Sequence, residues 1–111
     1  MTLDNVQLRL ATFRPEYELS QYKWPFRCCE LALQALEQGC YGVGAVLLDE
    51  AGNCLVEAAN SVFSQGYDSC GHAEMRLLDQ FEKQYPDYGD RSALTLVVSL
   101  EPCPMCTCRI L

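Results

Sequence analysis

Basic residues are scarce: eight Lys and Arg stand against fifteen Asp and Glu, leaving a net charge of −7 and a pI near 4.5. Long-range attraction to a phosphate backbone is therefore excluded, and a nucleic-acid ligand would need a local basic patch, of which the sequence has none. No apolar run approaches the ~20 residues that span a bilayer, and the start lacks the basic-then-apolar pattern of an export signal. The expectation is a soluble cytoplasmic protein with no membrane partner. With 111 residues, 50% of them hydrophobic, the chain can build one small domain but not two. It carries no internal repeat, low-complexity tract or domain linker. Histidine occurs once, at His72.

Cysteine is the exception to this sparseness, with eight in the chain. In a secreted protein they would suggest a disulfide scaffold; without an export signal they read as reduced thiols. Cys28, Cys29, Cys40 and Cys54 sit among apolar neighbours and read as small buried filler. Cys103-Pro104-Met105-Cys106 is different, because an apolar stretch at 94–100 runs straight into it. Cysteines three apart share one face of a helix, and the positive end of the helix dipole favours thiolates there. That suits zinc, but two sulfurs do not fill a tetrahedral site. The remaining ligand type is supplied by His72-Ala73-Glu74. A lone histidine is usually structural, and an isolated Cys-x-x-Cys is often a structural zinc or redox motif. In combination, His-x-Glu followed by Pro-Cys-x-x-Cys is a zinc deaminase signature.

On these motifs the chain resembles the cytidine and deoxycytidylate deaminase superfamily over residues 43–111. It is most similar to the branch with histidine as first ligand, which includes guanine, cytosine and tRNA adenosine deaminases. The resemblance implies a three-layer α/β/α cytidine deaminase-like fold with a mixed sheet, in a homodimer. It implies that His72, Cys103 and Cys106 bind Zn2+, and that Glu74 is the proton-shuttling glutamate that does not. It also matches Asn60 to a substrate-contacting asparagine and Gly44-Ala45 to a pocket wall, although Asn60 reads equally well as a turn residue closing a strand. The implied reaction is hydrolytic deamination: zinc makes hydroxide available at neutral pH, Glu74 carries the water proton to a ring nitrogen, and ammonia leaves.

Periodicity fills in the layout. Residues 1–23 alternate weakly at Val6, Leu8 and Leu10 until Arg14-Pro15 interrupts them, predicting a strand or extended arm outside the domain at 24–111. From Trp24, Phe26, Cys29, Leu33, Leu36 and Cys40 recur three or four apart, which predicts an amphipathic helix stopped at Gly39. Residues 43–48 and 54–60 flank a Gly- and Asn-containing turn and read as an antiparallel hairpin. A polar loop then delivers His72 to a second helix with Ala73, Leu77, Leu78 and Phe81 as its apolar face. A third strand leads to the Cys103 helix, so the metal residues fall at the starts of two helices, where His72 and Glu74 can both curl toward one ion.

Two other protein classes compete. A thioredoxin-like redox protein would use Cys103-Pro-Met-Cys106 but leaves His72-Ala-Glu74 unexplained. A closed structural zinc module would need Cys70 or Cys108 as fourth ligand; Cys108 points away on a regular helix and Cys70 would crowd His72. Within the deaminases, acidity favours a small nucleobase, nucleoside or nucleotide over nucleic acid, with a tRNA adenosine deaminase-like enzyme as the alternative. Residues 75–78 lack the asparagine associated with deoxycytidylate-type members. Because family members continue past the first turns of the Cys103 helix, the expectation is a truncation or fragment after the third strand and the start of that helix, poorly soluble and barely active alone.

Overall fold

Strand β1 (Gly44–Leu48) is buried at all five positions, which makes it the middle of the structure. The computed structural model describes residues 3–12 and 22–111. Helices α1 (Leu3–Thr12) and α2 (Lys23–Glu37) precede β1; strand β2 (Cys54–Ala59), helix α3 (Ala73–Gln84), strand β3 (Thr95–Val98) and helix α4 (Pro104–Ile110) follow it. The strand order is β2-β1-β3. The β1–β2 hairpin closes through Asp49, whose carboxylate accepts from the Asn53 N–H at 2.8 Å, and through Gly52 at φ 86°, a left-handed conformation that only glycine adopts without cost.

Alternation along β1 decides the layers. Ala45 and Leu47 pack with Val56 and Ala58 of β2 beneath Ala73, Leu77 and Phe81 of α3. Val46 and Leu48 face the opposite way, against Cys28 and Leu31 of α2. The result is the three-layer α/β/α arrangement expected from the sequence. The expected mixed sheet is not what forms among the described residues: β1 pairs antiparallel with both neighbours. β2 and β3 run in the same direction, joined over the sheet by α3, but β1 lies between them, so no parallel pair is adjacent.

Two other expectations are corrected. The face of α2 that meets the sheet is Cys28, Leu31 and Ala35 with Trp24, whereas Cys29 and Leu36 of the predicted stripe are exposed. The helix carries two apolar stripes at helical spacing, and the buried one is the face whose Cys28 and Leu31 lie directly against Gly44 of β1. A Cβ on Gly44 would lie 2.3 Å from the Cys28 carbonyl oxygen and 2.5 Å from Leu31 Cβ. Residues 3–12 form a helix rather than a strand or extended arm. Leu3, Val6 and Leu10 also fit a helical period, and the Gln7 amide nitrogen reaches Glu37 of α2 at 2.8 Å. The interruption expected at Arg14-Pro15 lies outside the described residues.

All eight cysteines are free thiols; of the four expected as buried filler, Cys28 and Cys40 are buried and Cys54 partly so, whereas Cys29 is exposed on the outer face of α2. Among the described residues no helix is long and apolar enough to cross a membrane.

The approach of α2 to Gly44 gives a first prediction. Gly44→Ala should destabilise the chain by about 1–3 kcal/mol, because the obstructing atoms are backbone and a Cβ that cannot rotate away. Gly89→Ala, with nothing within 4 Å of its would-be Cβ, is the control. Equal urea midpoints for the two variants would reject this account of the α2–β1 contact.

Candidate active site

His72 and Cys103 occupy equivalent places in the fold. Each is the N-cap of its helix in extended conformation, His72 at φ −63°, ψ 149° and Cys103 at φ −70°, ψ 168°. Their side chains therefore turn back over the helix ends instead of projecting from the barrels. Pro104 fixes the first turn of α4, where its missing N–H costs nothing. Cys106, in that turn, is fully buried.

Backbone hydrogen bonds and two arginines hold the elements in register around this point. The Ser61 N–H donates to the Gly71 carbonyl at 2.8 Å, closing the loop between β2 and α3, and the Asn60 N–H donates to Val43 at 2.9 Å. Arg76 reaches back from α3 to Ser61 Oγ at 2.9 Å and to the Asp68 carboxylate. Arg109 ties α4 to α3 by donating to the Met75 carbonyl at 3.2 Å and pairing with Asp79 at 2.9 Å and Glu82 at 3.2 Å. The two helices that carry the candidate ligands are thus clamped together from outside the site.

His72 Nδ1 lies 3.5 Å from Cys103 Sγ and 3.6 Å from Cys106 Sγ. All three donor atoms fall within 4.8 Å of one another. Zinc at ~2.3 Å from sulfur and ~2.0 Å from nitrogen, with tetrahedral angles, places sulfur and nitrogen about 3.5 Å apart. Both nitrogen–sulfur distances match that ion. Electrostatics agree: the Cys106 N–H aimed at Cys103 holds its thiol below the ordinary range, while burial pushes Cys106 up to about 12, helped by Cys103 and the charge of Glu74. A buried thiol of that kind becomes a thiolate only against a cation.

Beside the donors is a cavity of about 250 Å³. Its deep part is formed by Asn60, Glu74, His72 and Cys103, of which Asn60 and Glu74 are each only 4% exposed. Val43 completes the wall, and Tyr41, Leu100 and Glu101, all exposed, rim the mouth. Glu74 stands in the first turn of α3, in the cavity yet outside the donor cluster. The Val62 N–H donates to Asn60 Oδ1 at 3.1 Å, so Asn60 both closes a turn and lines the cavity. Gly44 and Ala45 do not line this cavity: Gly44 is under α2 and Ala45 under α3. Val43, one residue earlier, takes the wall position.

Sequence reasoning passed over Tyr41, Val43, Leu100, Glu101 and Arg109. Only Val43 and Glu101 carried a signal, being adjacent to Gly44 and two residues before Cys103. Cys70 and Cys108, the fourth ligands of a closed zinc module, are exposed and outside the donor cluster.

A three-layer α/β sheet with a His/Cys/Cys centre at two helix starts and an unliganded carboxylate beside it defines a zinc-hydrolase type of site. The profile of the cytidine and deoxycytidylate deaminase zinc-binding region matches residues 20–111. The chain belongs to this zinc-binding deaminase family. It is 37% identical over 101 residues to a tRNA-specific adenosine deaminase of Haemophilus influenzae, covering 91% of this chain and 56% of that relative. The structure of guanine deaminase from Bacillus subtilis superposes with a TM-score of 0.72 at 29% identity, over 83% of this chain and 57% of that one. A structure from work on A-to-I editing by tRNA:A34 deaminases gives 0.71 at 23% identity, over 83% of this chain and 68% of that one, a likeness of fold. The chain thus spans little more than half the length of the first two.

Proposed function

We propose that the chain carries the catalytic centre of a zinc-dependent hydrolytic deaminase acting on a ring amine of a small nucleobase or nucleoside. The observation that carries this reading is Glu74, a buried carboxylate that shares the cavity with His72 and Cys103 and meets the Cys106 thiol, yet is not one of the three clustered donors. In this role His72, Cys103 and Cys106 hold the ion, and the chemistry zinc supplies is Lewis acidity that makes water a nucleophile at neutral pH. Glu74 would take one proton from water while the oxygen bonds to the amine-bearing carbon, deliver it to the ring nitrogen, and then pass the added hydroxyl's proton to the amine, so that the C–N bond breaks, ammonia leaves and a carbonyl remains. Asn60, with its oxygen committed to the turn, orients the ring by donating from its amide nitrogen. The unit responsible is residues 24–111, with 1–23 as an extension, working as a cytoplasmic homodimer.

Charge supports a small substrate. No Lys or Arg lines the cavity, and Glu101 sits at its rim, so a phosphate there would meet repulsion and no counter-charge. A second reading, deamination of adenosine in tRNA, is favoured by the 37% identity to a relative named for that reaction. Ammonia release from a panel of free bases, nucleosides, nucleotides and tRNA separates the two. The expected result is turnover of a base or nucleoside, with tRNA binding weak and lost at physiological salt. Salt-resistant tRNA binding with conversion of adenosine to inosine would overturn the small-substrate reading in favour of the second.

A further inference from the structure

His72, Met75, Asp79 and Glu82 recur at intervals of three and four residues, so they form one stripe along α3 and its N-cap. Cys103, Cys106 and Arg109 recur every three residues along α4 and its N-cap. The two stripes meet at both ends. At one, His72 Nδ1 lies 3.5 Å and 3.6 Å from the two sulfurs. At the other, the Arg109 guanidinium donates to the Met75 carbonyl at 3.2 Å and reaches Asp79 at 2.9 Å and Glu82 at 3.2 Å, with Met75 Sδ 3.8 Å away. Beyond the donor cluster, and among the described residues, every hydrogen bond and ion pair between α3 and α4 is made by Arg109. Thr107, also on α4, bonds instead to the Pro102 carbonyl of the preceding loop at 3.4 Å.

We infer that Arg109 is a positioning residue of the metal centre: it fixes α4 against α3 so that Cys103 and Cys106 stand at bonding distance from His72 before the ion arrives. This deepens the zinc-centre reading and rests on His72, Cys103 and Cys106 being the ligands. Both sulfurs are carried by α4 and the nitrogen by the start of α3, so the spacing of the donors is the spacing of two helices. A slide of α4 moves both sulfurs together, and a shift of roughly 1 Å is enough to spoil a metal site. Arginine suits the task because its planar fork engages several acceptors at once and fixes direction as well as distance, whereas lysine offers a point charge. A tenfold loss of affinity corresponds to about 1.4 kcal/mol. Asp79 and Glu82 are each 54% exposed, so neither pair alone supplies that much. The fork that also holds the Met75 carbonyl acts on all three acceptors as one network.

The test uses the full chain, with zinc affinity measured by competition against a chromophoric chelator and donor geometry by the visible spectrum of the Co2+-loaded protein. Arg109→Ala should weaken zinc binding by about 10- to 100-fold and alter the cobalt bands. Arg109→Lys should fall between that variant and wild type. Glu82→Gln, which keeps Arg109 and removes the charge of one acceptor, should give a smaller loss of the same kind. These two milder variants decide the matter if Arg109→Ala does not fold, and wild-type affinity in both overturns the proposal. In urea, Arg109→Ala should lose stability mainly when zinc is present, because a weaker site adds less to the folded state. A merely structural ion pair gives the other pattern: midpoints lowered equally with and without zinc, at unchanged affinity and spectrum. That result overturns the positioning role. If the wild-type chain takes up neither zinc nor cobalt, the ligand set fails and the positioning role fails with it. If zinc affinity depends on Arg109 but no compound of the panel is deaminated, the positioning role stands and the deaminase reading falls.

Discussion

Cys103→Ser should take the zinc content from about one ion per chain to near zero. The sulfur lost is the one at the N-cap of α4, 3.5 Å from His72 Nδ1, and a serine hydroxyl at that place is a poor ligand that does not ionise at neutral pH. Two donors then remain, His72 and Cys106, and a two-ligand site does not retain the ion. The variant should still fold, because Arg109 clamps α4 onto α3 through Met75, Asp79 and Glu82 without using any ligand. Elemental analysis with circular dichroism on the same samples separates metal loss from unfolding. Cys70→Ser and Cys108→Ser, at exposed positions outside the cluster, should keep full zinc. The wild-type chain should also release zinc in acid, since protons compete for the same thiolates. Full zinc retention in Cys103→Ser would reject the ligand set.

What could be read from the sequence was what neighbours along the chain decide. The hairpin is set by Asp49, Gly52 and Asn53, all within one turn, and its two strands form with bounds only one residue inside those expected. The start of α3 at His72 and of α4 at Cys103 is decided locally, by the extended residue that precedes each helix, so the placement of His72, Glu74, Cys103 and Cys106 at two helix ends is legible in the sequence. Features decided by packing across the sheet were not. Which stripe of α2 is buried depends on Gly44 having no side chain, a condition set in another element. Alternation puts Gly44 on the α2 side and Val43 with Ala45 on the α3 side, where Ala45 is covered by α3 and Val43, nearer the strand end and with its carbonyl bonded to the Asn60 N–H at 2.9 Å, lines the cavity. Arg109 looks like an ordinary basic residue in the last turn of a helix; its task is visible only once α3 lies beside it.

The site also shows how a small acidic chain can place a buried carboxylate where it is useful. Glu74 sits buried in the first turn of α3, at the helix end whose N–H groups favour an acidic side chain. It also adds to the upward push on the Cys106 thiol, so in the absence of a cation the carboxylate and the thiolates oppose each other. A divalent ion held by His72, Cys103 and Cys106 would offset that repulsion.

Glu74→Gln should therefore divide the two functions of the site. The carboxamide has nearly the same size and fills the same buried position, so the fold should hold and His72, Cys103 and Cys106 should keep zinc at the wild-type ratio. It cannot accept a proton. Turnover on the best substrate of the panel should fall by about 10²- to 10⁴-fold, the contribution expected of a positioned proton-transfer group. The loss should appear in kcat, because the amide retains most hydrogen bonding to a bound ring. The competing classes predict different patterns: a structural zinc module gives no ammonia from either protein, and a redox protein gives disulfide exchange that needs Cys103 and ignores Glu74. Only a deaminase couples intact zinc, intact binding and collapsed ammonia release in one variant. Should Glu74→Gln release ammonia at the wild-type rate with zinc in place, the proton would have to travel by another group. Within this cavity the remaining carboxylate is Glu101 at the rim, and Glu101→Gln would then be the variant that collapses instead.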